Sequence, residues 1–159
     1  MDLSGRLPSG ISTVVLAAGS LLYHGTHVPT FRDLNSPAWL AFDPDTAESW
    51  IGWRTWRHLG NHVLSGRVVT FRVLRDVTLP DVRLVLNWIK LFHSTGGHNS
   101  FEAAAIMKES GIPGWYANME VMLTDTSVLE FVQEKICVRH YLDWRKQCQN
   151  EMTIQSPSK

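Results

Sequence analysis

Six consecutive residues, Leu21-Leu22-Tyr23-His24-Gly25-Thr26, constrain this chain more than any other stretch. Two leucines and a tyrosine run straight into histidine, glycine and threonine. The expected structure is a buried strand whose last residues leave the sheet and present backbone and imidazole to a ligand. Gly25, with no Cβ, admits a close approach to the main chain. His24 both donates and accepts hydrogen bonds near neutral pH. Taken alone, the same residues equally describe a strand end with a surface histidine and a turn glycine.

The flanking sequence sets the strand in a mixed fold. Residues 1–10 carry glycine, proline and serine and read as an irregular lead-in. Two short strands are expected over 12–17 and 21–26, joined at Ala18-Gly19-Ser20. With Arg6 as the one basic residue ahead of the apolar run, no signal peptide is expected. Residues 27–37 contain Pro29, Asn35, Ser36 and Pro37 without a period, and predict a loop. Trp39 to Phe42 predicts a short strand. Asp43-Pro44 then opens a helix, an aspartate cap with proline in the first turn. Ala47, Trp50, Ile51 and Arg54 fall on one face of that helix.

Further along, Val69, Phe71 and Val73 alternate with Thr70, Arg72 and Leu74 between Arg67 and Arg75, as in a strand with one buried face. Thr78-Leu79-Pro80-Asp81 has the form of a capping box, and predicts a helix to Phe92. The Gly-rich run Ser94 to Asn99 lacks the lysine of a phosphate-binding loop and reads as flexible connection. A second capped helix is expected over 99–110, stopped by Gly111. Turn residues 112–114 lead into a strand with Glu120, in which Met119, Val121 and Leu123 share one face and Glu120 and Met122 the other. A carboxylate among such neighbours is exposed on an edge or held in a cleft, because unpaired burial is costly. A short helix over 125–135, a final strand over 136–142 and a polar tail over 149–159 complete the chain.

Length and composition bound the function. A chain of 159 residues makes one domain over 1–148 and buries on the order of 70% of its unfolded surface, enough for a core without staples. A formal net charge of +0 removes any global basic field for nucleic acid or an anionic membrane. Two cysteines, Cys137 and Cys148, cannot build a disulfide framework, so a reducing, intracellular compartment is expected. No apolar run reaches the roughly 18 residues of a membrane span. His58 and His62 are four residues apart but lack a nearby acidic or cysteine partner. Solvated polar groups are expected there, and no metal.

Tyr23-His24-Gly25-Thr26 resembles the first motif of the ADP-ribosyltransferases of the diphtheria-toxin and poly(ADP-ribose) polymerase type. That family follows a His-Gly-Thr or His-Gly-Ser strand with two aromatics eleven residues apart, and Trp39 and Trp50 keep that spacing around Ala47. Its third element is a glutamate on a late strand, matched by Glu120 in Asn118-Met119-Glu120-Val121-Met122-Leu123. Both aromatics are tryptophan here, where the family usually has tyrosine.

The resemblance implies an α+β fold of split, mainly antiparallel sheets with flanking helices. It implies NAD as co-substrate and no metal. His24 then bonds a ribose hydroxyl, Gly25 pins the nicotinamide amide, Thr26 adds a bond to the same edge, and Trp39 and Trp50 sandwich the ring. Glu120 is the catalytic carboxylate. The implied acceptor is a macromolecule, protein ahead of nucleic acid, and single transfer is expected rather than chain extension. Asn118 stands where arginine-specific members carry Glu or Gln, so arginine is not the expected acceptor. Three alternatives stay open: an inactive NAD or ADP-ribose binding module, an enzyme like the RNA 2′-phosphotransferases, which need no late glutamate, and a plain interaction protein that uses its tryptophan-rich face and binds no NAD.

Overall fold

The computed structural model describes residues 12–26, 37–59, 63–81, 100–117 and 119–140. The expected loop over 27–36, the bulk of the helix to Phe92, the 94–99 run, Asn118 and the polar tail lie outside these residues. Among the described residues antiparallel strands dominate, with two α-helices, in keeping with a broad α+β or mainly-β class. The chain divides into two compact units. Among the described residues one holds 12–20, 37–39 and 73–128, and the other 21–26, 40–72 and 129–140.

In the first unit, β1 (Thr13–Leu16) runs antiparallel to β5 (Val77–Pro80), from Thr13↔Pro80 to Leu16↔Val77. After β1 the chain turns at Gly19, whose φ of 90° suits a residue without a Cβ. The Ala18 N–H donates to Asp76 Oδ1 at 2.8 Å and fixes that turn. The capping box expected at Thr78–Asp81 is corrected here. Val77 and Leu79 are buried and Thr78 exposed, the period-2 pattern of a strand. Pro80 is tolerated because it ends the ladder. Asp81 continues the extended chain, its N–H donating to Ser12 O at 3.0 Å.

Helix α2 (Ser100–Glu109) ends as expected at Gly111, which has a φ of 76°. The Ile112 N–H donates to Met107 O at 2.9 Å, a six-to-one closure of the last turn. Strands β6 (Gly114–Ala117) and β7 (Glu120–Leu123) then pair from Gly114↔Leu123 to Ala117↔Glu120. Ala103, Ala104, Met107, Ile112, Trp115 and Met122 form the core between α2 and this hairpin.

The helix expected over 125–135 is also corrected. Asp125 Oδ1 accepts hydrogen bonds from the N–H and hydroxyl of Ser127, an Asx turn that opens a single 3-10 turn over Thr126–Val128. The chain then enters β8 (Leu129–His140), longer than the strand expected over 136–142. An aspartate opens turns as readily as helices, and the bulky Phe131, Val132, Ile136 and Val138 favour the strand.

In the second unit the strand order is β3-β2-β4-β8, with β2 (Leu21–Thr26), β4 (Val63–Val73) and the Leu40–Ala41 end of β3 (Ala38–Ala41). The β2–β4 ladder runs from Leu21↔Arg72 to Thr26↔Arg67. Helix α1 (Pro44–Leu59) opens at the expected cap. Asp43 Oδ2 accepts from the Thr46 N–H at 3.3 Å and from its hydroxyl at 3.0 Å. Ala41, Ala47, Ile51, Val68 and Cys137 form the core under α1, with Tyr23 and Trp50 packed at its rim. The one-sided burial expected of β4 is corrected, since Val68, Val69, Thr70 and Phe71 are all buried. Helix α1 covers the face of Val68, and on the opposite face Phe71 meets Phe131 edge-on, with ring centroids 6.2 Å apart.

Cys137 is disulfide-bonded. Among the described residues no helix is long and apolar enough to cross a membrane.

Candidate functional site

His24, Gly25, Thr26 and Trp50 belong to the second unit, and the structure brings them together. His24, Gly25 and Thr26 end β2, each partly exposed. The Trp50 indole on α1 meets the His24 imidazole edge-on, with ring centroids 6.3 Å apart and planes at 69°. Among the described residues the β2–β3 ladder is limited to Tyr23↔Ala41, so beyond Tyr23 one edge of β2 lies outside that ladder. A ring, an imidazole and a strand edge thus converge on one corner.

Gly25 has a structural reason that the sequence did not reveal. A Cβ built on it would lie 1.9 Å from the backbone O of Ala47 and 3.3 Å from Ile51 Cγ1. The backbone that approaches Gly25 is therefore that of α1. Gly66 on β4 makes the same accommodation, its Cβ position lying 2.4 Å from Ile51 Cγ2. Helix α1 rests on two glycines of neighbouring strands, and that close seat holds Trp50 beside His24. Gly25→Ala forces the helix outward, an overpacking that costs roughly 1–3 kcal/mol or more. Denaturant unfolding reads this as a lower midpoint, and an unchanged midpoint would refute the seat.

Trp39 and Glu120 belong to the first unit. The Trp39 ring packs against the α2 core and meets Trp115 edge-on, with centroids 6.3 Å apart and planes at 86°. Trp115 pairs with Met122 across the hairpin, and Ala117 with Glu120. Alternation therefore puts Glu120 on the face that carries Trp115, Met122 and Ala117. Glu120 is half-buried at the start of β7. Both Val121 and Met122 are fully buried, so β7 has no exposed face, and the picture of an edge carboxylate is replaced by one at the rim of a core.

Sequence reasoning missed two features. Arg67 and Glu134 form an ion pair with Arg67 Nη1 3.8 Å from Glu134 Oε1, and the Glu134 side chain is only 4% exposed. Alternation alone cannot show that a strand charge is buried. The second is a cleft of about 580 Å³ in the first unit, lined by Arg75, Lys108, Ile112, Asp125, Thr126 and Ser127. The Ser127 hydroxyl bond, the largest cause, helps hold the Asp125 carboxyl below its ordinary range, and Arg75 adds to this from 3.4 Å. Among the described residues no three His, Cys, Asp or Glu groups cluster to hold a metal. The side chain of His58, and His62 entirely, lie outside them.

Comparison with family models, curated proteins and solved structures finds no match to the chain.

Proposed function

We propose that the chain is an NAD-dependent ADP-ribosyltransferase that cleaves the nicotinamide–ribose bond and passes single ADP-ribose units to a macromolecular acceptor, protein rather than nucleic acid. The proposal includes the split-sheet fold of that family. The observation that carries it is the contact of His24 with Trp50 at the Gly25 corner, since the motif residues meet although twenty-five residues separate them. The position of Glu120 on the hairpin face that Trp39 packs against supports it from the other motif elements.

Each residue has a role in this reading. Gly25 offers backbone N–H and C=O to the nicotinamide amide, and His24 hydrogen-bonds a ribose hydroxyl, with Thr26 beside it. Trp50 and Trp39 supply aromatic faces for the ring. Cleavage builds positive charge on the ribose in an oxocarbenium-like transition state. The Glu120 carboxylate stabilises that charge more than it stabilises the ground state, which lowers the barrier.

Incubation with NAD labelled in the adenylate tests the proposal. Release of nicotinamide with label on an acceptor is the expected result. Binding without release identifies an inactive module, and absence of binding overturns the NAD reading altogether. Release that depends on a 2′-phosphorylated RNA points to the phosphotransferase alternative. Trp50→Ala weakens NAD binding up to about tenfold, since offset stacking is worth roughly 0.5–1.5 kcal/mol per ring. Calorimetry on the folded variant checks this, and parent-like affinity leaves Trp50 a packing residue only.

A further inference from the structure

The pair of partly exposed Arg67 and buried Glu134 is poorly made for a stability device. At 3.8 Å it is long for a charged hydrogen bond. Arg67 Nη1 and Glu134 Oε2 have no hydrogen-bond partner among the described residues. A buried ion pair offsets its desolvation only with good geometry and satisfied donors and acceptors. This one meets neither condition, although Glu134 is 5% exposed.

Its position suggests another use. Arg67 is the ladder partner of Thr26, and Val69 that of His24. Residues directly opposite in an antiparallel ladder point to the same face, as do residues two apart on one strand. Arg67, Thr26 and His24 therefore share one face at the end of β2. Gly25 turns its missing Cβ to the other face, toward α1. Of the five N–H donors of the guanidinium, Nη1 is turned to Glu134, and the side chain keeps 21% of its surface exposed. The result is a partly exposed cation, paired with Glu134, on the face that carries the histidine.

We propose that Arg67, held by Glu134 on the face of His24 and Thr26, is the cation that binds the diphosphate of the dinucleotide. This rests on the NAD reading above. A guanidinium donates parallel N–H bonds to paired anionic oxygens, which a diphosphate offers and a ribose does not. Glu134 is a positioning residue, and it keeps Arg67 from swinging into solvent.

The test compares three ligands by calorimetry: NAD, ADP-ribose, and nicotinamide riboside, which carries the ring and ribose without phosphate. Arg67→Gln strands the Glu134 charge in the interior and risks unfolding, so the informative variant is the double Arg67→Met, Glu134→Met. It is expected to bind NAD and ADP-ribose about 10- to 100-fold more weakly than the parent. Its affinity for nicotinamide riboside is unchanged. Arg67→Lys keeps the charge and the pair but not the fork, and loses a smaller factor for the same two ligands. If the double variant does not fold, Arg67→Lys decides alone. A loss confined to the two diphosphates supports the proposal, and no loss, or an equal loss for all three, overturns it. A parent that binds NAD while its variants bind equally well overturns Arg67 alone. A parent that binds none of the three overturns the NAD reading and this assignment with it.

Discussion

Glu120→Gln is expected to lower nicotinamide release by roughly two to three orders of magnitude while NAD affinity stays nearly constant. The substitution keeps size and hydrogen bonding and removes one charge. In the proposed reaction that charge faces a cation present only in the transition state, and fixed electrostatic contributions of this kind are worth roughly 3–4 kcal/mol. The ground state holds less positive charge beside the carboxylate, so binding is spared. Glu120 is half-buried and opens β7 opposite Ala117, so a change to the neutral isostere leaves the hairpin ladder intact. Nicotinamide release with and without acceptor, measured beside calorimetric NAD affinity, gives the answer. Equal turnover in parent and variant sinks the mechanism. Joint loss of binding and stability makes Glu120 a structural partner instead.

Trp115→Ala is the substitution expected to cost most in stability. The side chain is 0% exposed, the largest fully buried one among the described residues, and it joins α2, the β6–β7 hairpin and Trp39. Truncating a core aromatic to alanine costs roughly 3–5 kcal/mol. For a chain of this size that lowers Tm by roughly 6–20 °C. Trp115→Phe is milder than its lost volume suggests. Trp115 Nε1 has no hydrogen-bond partner among the described residues, and phenylalanine removes that unsatisfied donor, which offsets part of the packing loss. Thermal unfolding of both variants checks the order. If Trp115→Ala unfolds at the parental temperature, this cluster does not hold the first unit together.

Where local chemistry and burial pointed the same way, the sequence was readable. Strand β2 over 21–26, the Asp43 cap and the Gly111 stop all lie where their residues put them. Each rests on groups within a few positions of one another. Reading failed where a short polar signal had two solutions. Thr78-Leu79-Pro80-Asp81 satisfies its backbone against β1 instead of capping a helix, and Asp125 binds Ser127 in a turn instead of opening one. In both cases the partner that decided the outcome is distant in the chain or shared by two structures.

The candidate site divides along the same line. The motif spacing picked out His24, Gly25 and Trp50, and the structure places them at one corner. What it hid was why Gly25 must be glycine, because the clashing atom belongs to Ala47, twenty-two residues later. It also hid the Arg67–Glu134 pair, since alternation on a strand says nothing of which charges end up buried.

The seat of α1 on Gly25 and Gly66 has a bearing on how this corner tolerates sequence drift. Ordinary helix–sheet contacts have side chains on both sides, so an enlargement on one is absorbed by a reduction on the other. Here the strand side is bare main chain, Ala47 meets it with its own backbone, and Ile51 is the side chain with something to give. Ile51 can shorten, as to valine, but neither glycine can grow without lifting the helix. The corner behaves as a ratchet that permits loosening and forbids filling, so the spacing between Trp50 and His24 has a fixed lower limit and no fixed upper one.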